Sequence, residues 1–321
     1  MYASITLMLA SIVLAGSSPP IGALVVGPNA QYKTIQAAVD AAANGKTIFI
    51  EAGTYKEQVF VNETKQGLTL MGATSTPESY SGNRVTITQG RSQADKINND
   101  ATGTLRAHGD GLKVYNINLV NSKGKGSQAL ALSAYGDNQG YYGCQFKGYQ
   151  DTVLTERGHH VFVNSMIEGA TDFIFGMHSL AWFEKVDIKV TDGGWITANG
   201  RDSATNPSFY VLNRCTVEGS SSKLNGKAYL GRPWREFARV VFQHSKLGAV
   251  VNTAGWSQWQ STDPKTGNVT FGEFGNTGPG ASGSRKFGTK LGAAVSINDI
   301  IPNHRTWVDS KYVRGDYISK W

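Results

Sequence analysis

Residues 144–188, CQFKGYQDTVLTERGHHVFVNSMIEGATDFIFGMHSLAWFEKVDI, decide the fold. They hold three short strand cores, Cys144-Gln145-Phe146, Ser165-Met166-Ile167 and Val186-Asp187-Ile188, each with a small or apolar first and third residue, spaced 21 residues apart. Working outward, Ile117-Asn118-Leu119 precedes this run by 27 residues, and Cys215-Thr216-Val217 and Ser245-Lys246-Leu247 follow at intervals of 29 and 30. A repeat of about 21 residues with loops inserted in some turns is the mark of a solenoid. The 38 glycines and the low charged fraction, 17%, read as many short strands joined by tight turns rather than as a helical bundle. The expected architecture is all-β, a right-handed parallel β-helix, with an irregular β-sandwich as the alternative.

Upstream, Thr34-Ile35-Gln36-Ala37-Ala38-Val39-Asp40 reads as a short amphipathic helix with Ile35, Val39 and Ala42 on one face, an N-terminal cap on the solenoid. Before it, MYASITLMLASIVLAG followed by Ser17-Ser18-Pro19-Pro20 has the apolar core and small-residue end of a secretion signal, although no Lys or Arg precedes the core. The expected division is a leader at 1–18 and one domain over 19–321. With ~12 apolar residues the leader is too short to span a bilayer comfortably. Asn62-Glu63-Thr64 and Asn268-Val269-Thr270 are glycosylation acceptors that fit a secretory route. The net charge of +7 favours an acidic partner, whether polysaccharide, nucleic acid or anionic membrane, without choosing among them.

Successive coils of a β-helix stack at about 4.8 Å, so residues one coil apart in a column lie side chain over side chain. Asp151 and Asp172 are 21 residues apart and so become neighbours. Cys144 and Cys215 share a column but sit three coils, or about 14 Å, apart. That exceeds disulfide reach, so two buried free thiols are expected even on a secretory route.

The same stacking gathers four polar segments on one face: SQALAL with Gln128, GYQDTVL with Gln150 and Asp151, ATDFIFG with Asp172, and YLGRPW with Arg232. Two adjacent carboxylates repel, so one stays protonated while its neighbour ionises. An arginine beside one of them selects the ionised member. Two glutamine amides are suited to donate to a developing oxyanion. A carboxylate nucleophile, a carboxylic acid and neutral donors form the set that ester hydrolysis through an acyl-enzyme requires. It needs neither metal nor cofactor, and the six histidines show no metal-binding spacing.

Paired carboxylates would also serve a polygalacturonase or a lyase. Asn-Thr-Asp, Asp-Asp and Gly-His-Gly are absent, and no acidic cluster suits calcium. A serine esterase is disfavoured because no Gly-X-Ser-X-Gly occurs; Ser282, in GASGS, misses the pattern. A non-catalytic polysaccharide- or nucleic-acid-binding solenoid accounts for the charge and aromatics, but not for the four polar segments together.

In wording and in chain order these segments resemble the pectin methylesterase family, of the microbial type without an inhibitory pro-domain. The matches are SQALAL, GYQDT, TDFIFG, ITANGR (Ile196 to Arg201), LGRPW, AGWSQW (Ala254 to Trp259) and FGEFGNTGPGA (Phe271 to Ala281). The resemblance implies Asp172 as nucleophile, Asp151 as acid and then base, Gln128 and Gln150 as the oxyanion hole, and Arg232 orienting Asp172. It also implies Thr104, Phe175, Trp234 and Trp256 along a sugar-binding cleft. The implied partner is methyl-esterified homogalacturonan rather than nucleic acid or membrane, and the implied state a secreted monomer. Leu154 stands where the family commonly has Tyr, and Ser133 where larger residues are common, which leaves subsite preference open.

Overall fold

The structure, a computed structural model, describes residue 16 and residues 18–313. The leader expected at 1–18 therefore lies outside the described residues but for 16 and 18.

The chain winds as a parallel β-helix with three faces, right-handed as parallel crossovers are. One face is an eleven-stranded sheet running coil by coil from Leu24–Val26 to Gly288–Lys290. The other thirteen strands form two ladders that share the long strands Met166–Gly176 and Asp187–Asn199, each of which crosses from the second face to the third. Every pairing between these strands is parallel, as a solenoid requires.

The strand cores read from sequence stack in the expected register. Asn118 pairs with Gln145, Gln145 with Met166, Met166 with Asp187, Asp187 with Thr216, and Thr216 with Lys246. Their flanking residues point inward and are buried, from Ile117 and Leu119 to Ser245 and Leu247. The interior stacks like on like: Tyr141, Phe162 and Phe183 succeed one another at centroid separations of 4.7 Å. Cys144 and Cys215 are buried and free, as expected. Interior hydroxyls serve the backbone, Ser165 Oγ accepting from the Cys144 N–H and Ser245 Oγ from the Cys215 N–H, both at 3.0 Å.

One corner is built the same way in coil after coil. Asn116, Gly143, Asn164, Lys185, Arg214, His244 and Gly275 all have φ between 49° and 59°, so a single left-handed residue turns the chain from the first face to the second. The helix Ile35–Ala41 buries Ile35, Ala38 and Val39 against the first coil, with the Thr34 side chain accepting from the Ala37 N–H as its N-cap. Ala42, foreseen on the same face, is the C-cap and is buried with them. At the other end of the chain, residues 309–312 fold back on the first face. There Tyr312 stacks on Tyr142 at 4.7 Å, and Tyr115 donates to Asp309 at 2.8 Å. Among the described residues no helix is long and apolar enough to cross a membrane.

Candidate active site

The corner between the second and third faces gathers the polar segments singled out in the sequence. Gln150 bridges in parallel to Thr171, which sets Asp151 and Asp172 on adjacent coils in one column. Both aspartates have left-handed backbones, φ 62° at Asp151 and 50° at Asp172, a region that Asp enters more readily than most non-glycine residues. At Asp172 the ladder between Met166–Gly176 and Asp187–Asn199 loses register on both sides of Thr171. Such an irregularity bends the strand and re-aims its side chains. Two coils beyond Asp172, the turn after the strand Ala228–Gly231 supplies Arg232. Here Gly231 is obligatory, because a Cβ would lie 2.1 Å from Thr197 Oγ1.

Arg232 grips Asp172 with two parallel bonds, Nε to Oδ1 at 2.9 Å and Nη2 to Oδ2 at 2.6 Å. Its guanidinium is sandwiched between Trp195, 3.6 Å from the ring centroid, and Trp259, 4.2 Å away, and Nη1 donates to the Trp259 carbonyl. The plane of the fork is thus fixed by two rings as well as by its acceptor. Among the described residues, the Asp151 carboxyl receives a single, neutral side-chain donor, Asn99 Nδ2 at 3.3 Å.

The two acids, 7% and 6% exposed, are separated by these partners. Burial pushes the Asp151 carboxyl well above the usual carboxylate range and repulsion from Asp172 adds to it, with Asn99 and Arg232 opposing. Burial also raises Asp172, but the hydrogen bonds and charge of Arg232 work against it. The partners thus favour the proton on Asp151 and the negative charge on Asp172, an arrangement in which one carboxyl can donate a proton while the other attacks.

Gln128 and Gln150 flank this pair. The Ala129 N–H donates to the Gln150 carbonyl at 3.1 Å, so their segments run side by side. Both residues are half-buried, and neither side-chain amide is engaged by another described residue. The amides are free to donate to an incoming carbonyl oxygen.

Beside the acids, Leu130, Leu154, Phe175 and Ala198 form a small apolar cluster on the outer side of the third face, joined by Tyr135 and Trp234. Phe175 and Trp234 lie 6.1 Å apart, centroid to centroid. These are the two aromatics read from sequence as cleft residues; Phe175 is buried in the cluster, Trp234 is half-buried at its edge, and Leu154 belongs to the same patch. Ser133, one rung away, is covered, and its hydroxyl donates to Asp100 at 2.8 Å.

Two expected cleft residues are interior instead. Thr104 is fully buried, its hydroxyl donating to the Val120 carbonyl and accepting from Gln89, so it ties strands together and presents nothing to a ligand. Trp256 is also fully buried, stacked on Phe271 at 4.3 Å with its indole N–H on Glu273. Sequence reasoning missed Asn99, Trp195 and Trp259. Trp259 stands in the AGWSQW segment, where Trp256 drew attention; Asn99 lies on a loop with no periodicity to mark it. Among the described residues no group of three His, Cys, Asp or Glu side chains is placed to hold a metal ion.

The sequence profile of the pectinesterase family matches residues 24–299. A pectinesterase of Aspergillus aculeatus is 45% identical over 97% of this chain and 98% of its own, and one of Aspergillus niger 43% identical over 96% and 98%. The crystal structure of the Aspergillus niger pectin methylesterase in deglycosylated form superposes with a TM-score of 0.88 at 37% identity, covering 92% of this chain and 99% of that one. The pectin methylesterase from carrot superposes at 0.83 with 27% identity, covering 94% and 99%. With a paired-carboxylate site on a parallel β-helix and relatives that span nearly its whole length, the chain belongs to the pectinesterase family, the carboxylic-ester hydrolases that cleave the methyl esters of pectin.

Proposed function

We propose that the reaction runs through an acyl-enzyme on Asp172. The ester of a galacturonate unit lies with its C6 carbonyl over Asp172 and its ring against Phe175 and Trp234. An Asp172 oxygen attacks C6, and the carbonyl electrons move onto an oxyanion held by the Gln128 and Gln150 amides. As the oxyanion collapses, the C6–O bond to the methoxy group breaks, and Asp151 gives its proton to that oxygen so that methanol leaves. Asp151, now ionised, takes a proton from water, whose oxygen attacks C6 of the anhydride. Collapse releases the galacturonate as its carboxylic acid, which loses its proton to solvent, and restores Asp172 as a carboxylate, while Asp151 ends protonated as it began. The observation that carries this assignment is the two-pronged grip of Arg232 on Asp172 alone, against the single neutral donor on Asp151.

The experiment is methanol release from highly methylated pectin, run beside assays for new reducing ends and for unsaturated products. Methanol without chain cleavage is expected. Asp172→Ala should abolish it with the fold retained, and appreciable residual turnover would defeat the nucleophile assignment. Asp151→Asn should lower the rate by about 10²- to 10⁴-fold.

The same reading makes the protein a secreted monomer that acts on homogalacturonan, not on nucleic acid or membrane, without a cofactor. Residues 1–18 are the leader and 19–321 the catalytic domain. The sequons at Asn62 and Asn268 then meet the glycosylation machinery. Asn62 already accepts from Thr64 N–H and Oγ1, and Asn268 is exposed. Intact-mass measurement of the secreted protein, with and without deglycosylation, tests the leader boundary and both sequons together.

A further inference from the structure

The Asp151 carboxyl has two oxygens, and a proton donor works only if the proton sits on the one that faces the leaving group. Asn99 is placed to decide which. Its Nδ2 donates to Asp151 Oδ2 at 3.3 Å, while its Oδ1 accepts from Gln93 Nε2 at 2.7 Å. The second bond fixes the first, because Gln93 presents an amide N–H that an Asn oxygen accepts, leaving the Asn99 NH₂ pointing at Asp151. An N–H donor on Oδ2 makes that oxygen the acceptor end of the carboxylic acid, so the acidic proton is on Oδ1.

The segment that carries both amides is anchored independently of the acids. The Gln93 N–H donates to the Gln128 carbonyl at 3.0 Å, and the Ala94 N–H to Ser127 Oγ at 3.1 Å. Asp100, next to Asn99, is held by Arg106 Nε at 3.1 Å, His108 Nε2 at 2.8 Å and Ser133 Oγ at 2.8 Å. Asn99 and Gln93 therefore rest on a frame braced by bonds that do not involve Asp151 or Asp172.

We propose that Gln93 and Asn99 are positioning residues of the reaction, a relay of two side-chain amides that directs the Asp151 proton to Oδ1 and steadies its carboxylate once the proton has gone. The relay rests on the reading of Asp151 as acid and base given above. It explains why the corner is roofed by a polar loop rather than left open to solvent: water would donate to either oxygen without preference.

The other charges that bear on Asp151 are Asp172, which repels its ionised form, and Arg232, which favours it. On the roofing segment Asp95 caps the Ser92 N–H at 2.8 Å, Lys96 is exposed, and Asp100 is committed to Arg106 and His108. Burial opposes the charge on His108, but its bonds to Asp100 and Glu63 outweigh that and raise its pKa. All of these groups stay in place when the two amides are changed, so a difference between pH profiles reports Asp151.

The test is the pH profile of kcat/KM for methanol release by Asn99→Leu and Gln93→Leu, with Asp151→Asn alongside. A donor to the ionised carboxyl lowers its pKa, so losing it should move the alkaline limb of Asn99→Leu upward by about one pH unit and leave the acid limb, set by Asp172, where it was. The plateau should fall roughly tenfold as the carboxyl loses its orientation. Gln93→Leu, which keeps Asn99 but frees its amide to turn, should shift the same limb by less, and it stands in if Asn99→Leu fails to fold. An alkaline limb unmoved in both variants, with Asp151→Asn inactive, overturns the relay and spares the assignment of Asp151. Near-normal turnover by Asp151→Asn overturns the assignment beneath it.

Discussion

Replacing Arg232 by Lys keeps the charge beside Asp172 and removes the fork. The arginine makes bonds of 2.9 and 2.6 Å to the two carboxylate oxygens and lies 3.6 and 4.2 Å from the Trp195 and Trp259 ring centroids. A lysine ammonium is a point donor with no flat face, so at least one charge-assisted bond and the sandwich are lost together. A hydrogen bond to a charged group is worth about 1.5–3 kcal/mol, and one pKa unit is about 1.4 kcal/mol, so Asp172 should rise by roughly one to two units. The sign follows from which form reacts. In the proposed mechanism Asp172 must be ionised to attack, so a higher pKa moves the acid limb of the activity profile upward by the same amount. Below that limb the variant should be about 10- to 100-fold slower than the parent, with a smaller deficit above it. Initial rates of methanol release across the acid and alkaline ranges, with KM and kcat separated, measure this directly. An acid limb that stays put in Arg232→Lys, even with a lower plateau, would refute the argument that the fork holds Asp172 ionised.

The two tryptophans first expected to share a role should part company: Trp234→Ala should raise KM for pectin several-fold, on the order of 1 kcal/mol of lost ring contact, with little change in melting temperature. Trp256→Ala should instead destabilise the fold by about 3–5 kcal/mol, read by denaturant unfolding. His160 is buried with Nδ1 unpartnered and Nε2 on the Gly136 carbonyl, and burial pushes its pKa down to about 4. The folded protein thus resists protonation that the unfolded chain accepts, so up to about 3 kcal/mol of stability should drain away between pH ~6.5 and ~4; His160→Gln should flatten that slope in urea titrations. Cys144, whose thiol burial raises to about 12, and Cys215, raised likewise, should ignore thiol reagents in the native state and react as two thiols per chain once denatured, with reductant leaving the melting temperature unchanged.

The parts of this molecule that were legible in its sequence are those that obey a period. Cores such as Cys144-Gln145-Phe146 and Ser165-Met166-Ile167 stack rung on rung because the interior accepts only small or apolar side chains at fixed positions, and that selection leaves a pattern. The same period set Asp151 beside Asp172 and kept the two cysteines apart. The left-handed corner was invisible because what it selects is a backbone conformation, which Asn, Gly, Lys, Arg and His all adopt there. Asn99 and Trp259 reach the site from loops, where only the fold creates proximity. Thr104 and Trp256 show the reverse failure, since resemblance in wording says which residues accompany a site and nothing about which way their side chains face.

That corner also bears on how such a molecule changes over time. From Asn116 onward it is one residue long in every coil, so any insertion there would slip a strand and turn its inward side chains out. The length differences among coils collect instead at the two corners that border the third face. Residues 122–131, 200–208, 220–227 and 232–238 connect strands there, and they include the walls of the reaction site. One edge of the prism is a fixed spine and the other two are open to growth. New substrate preferences can therefore arise by lengthening or rewriting the walls, with the stacking of the coils, and so the spacing of the two aspartates, left untouched.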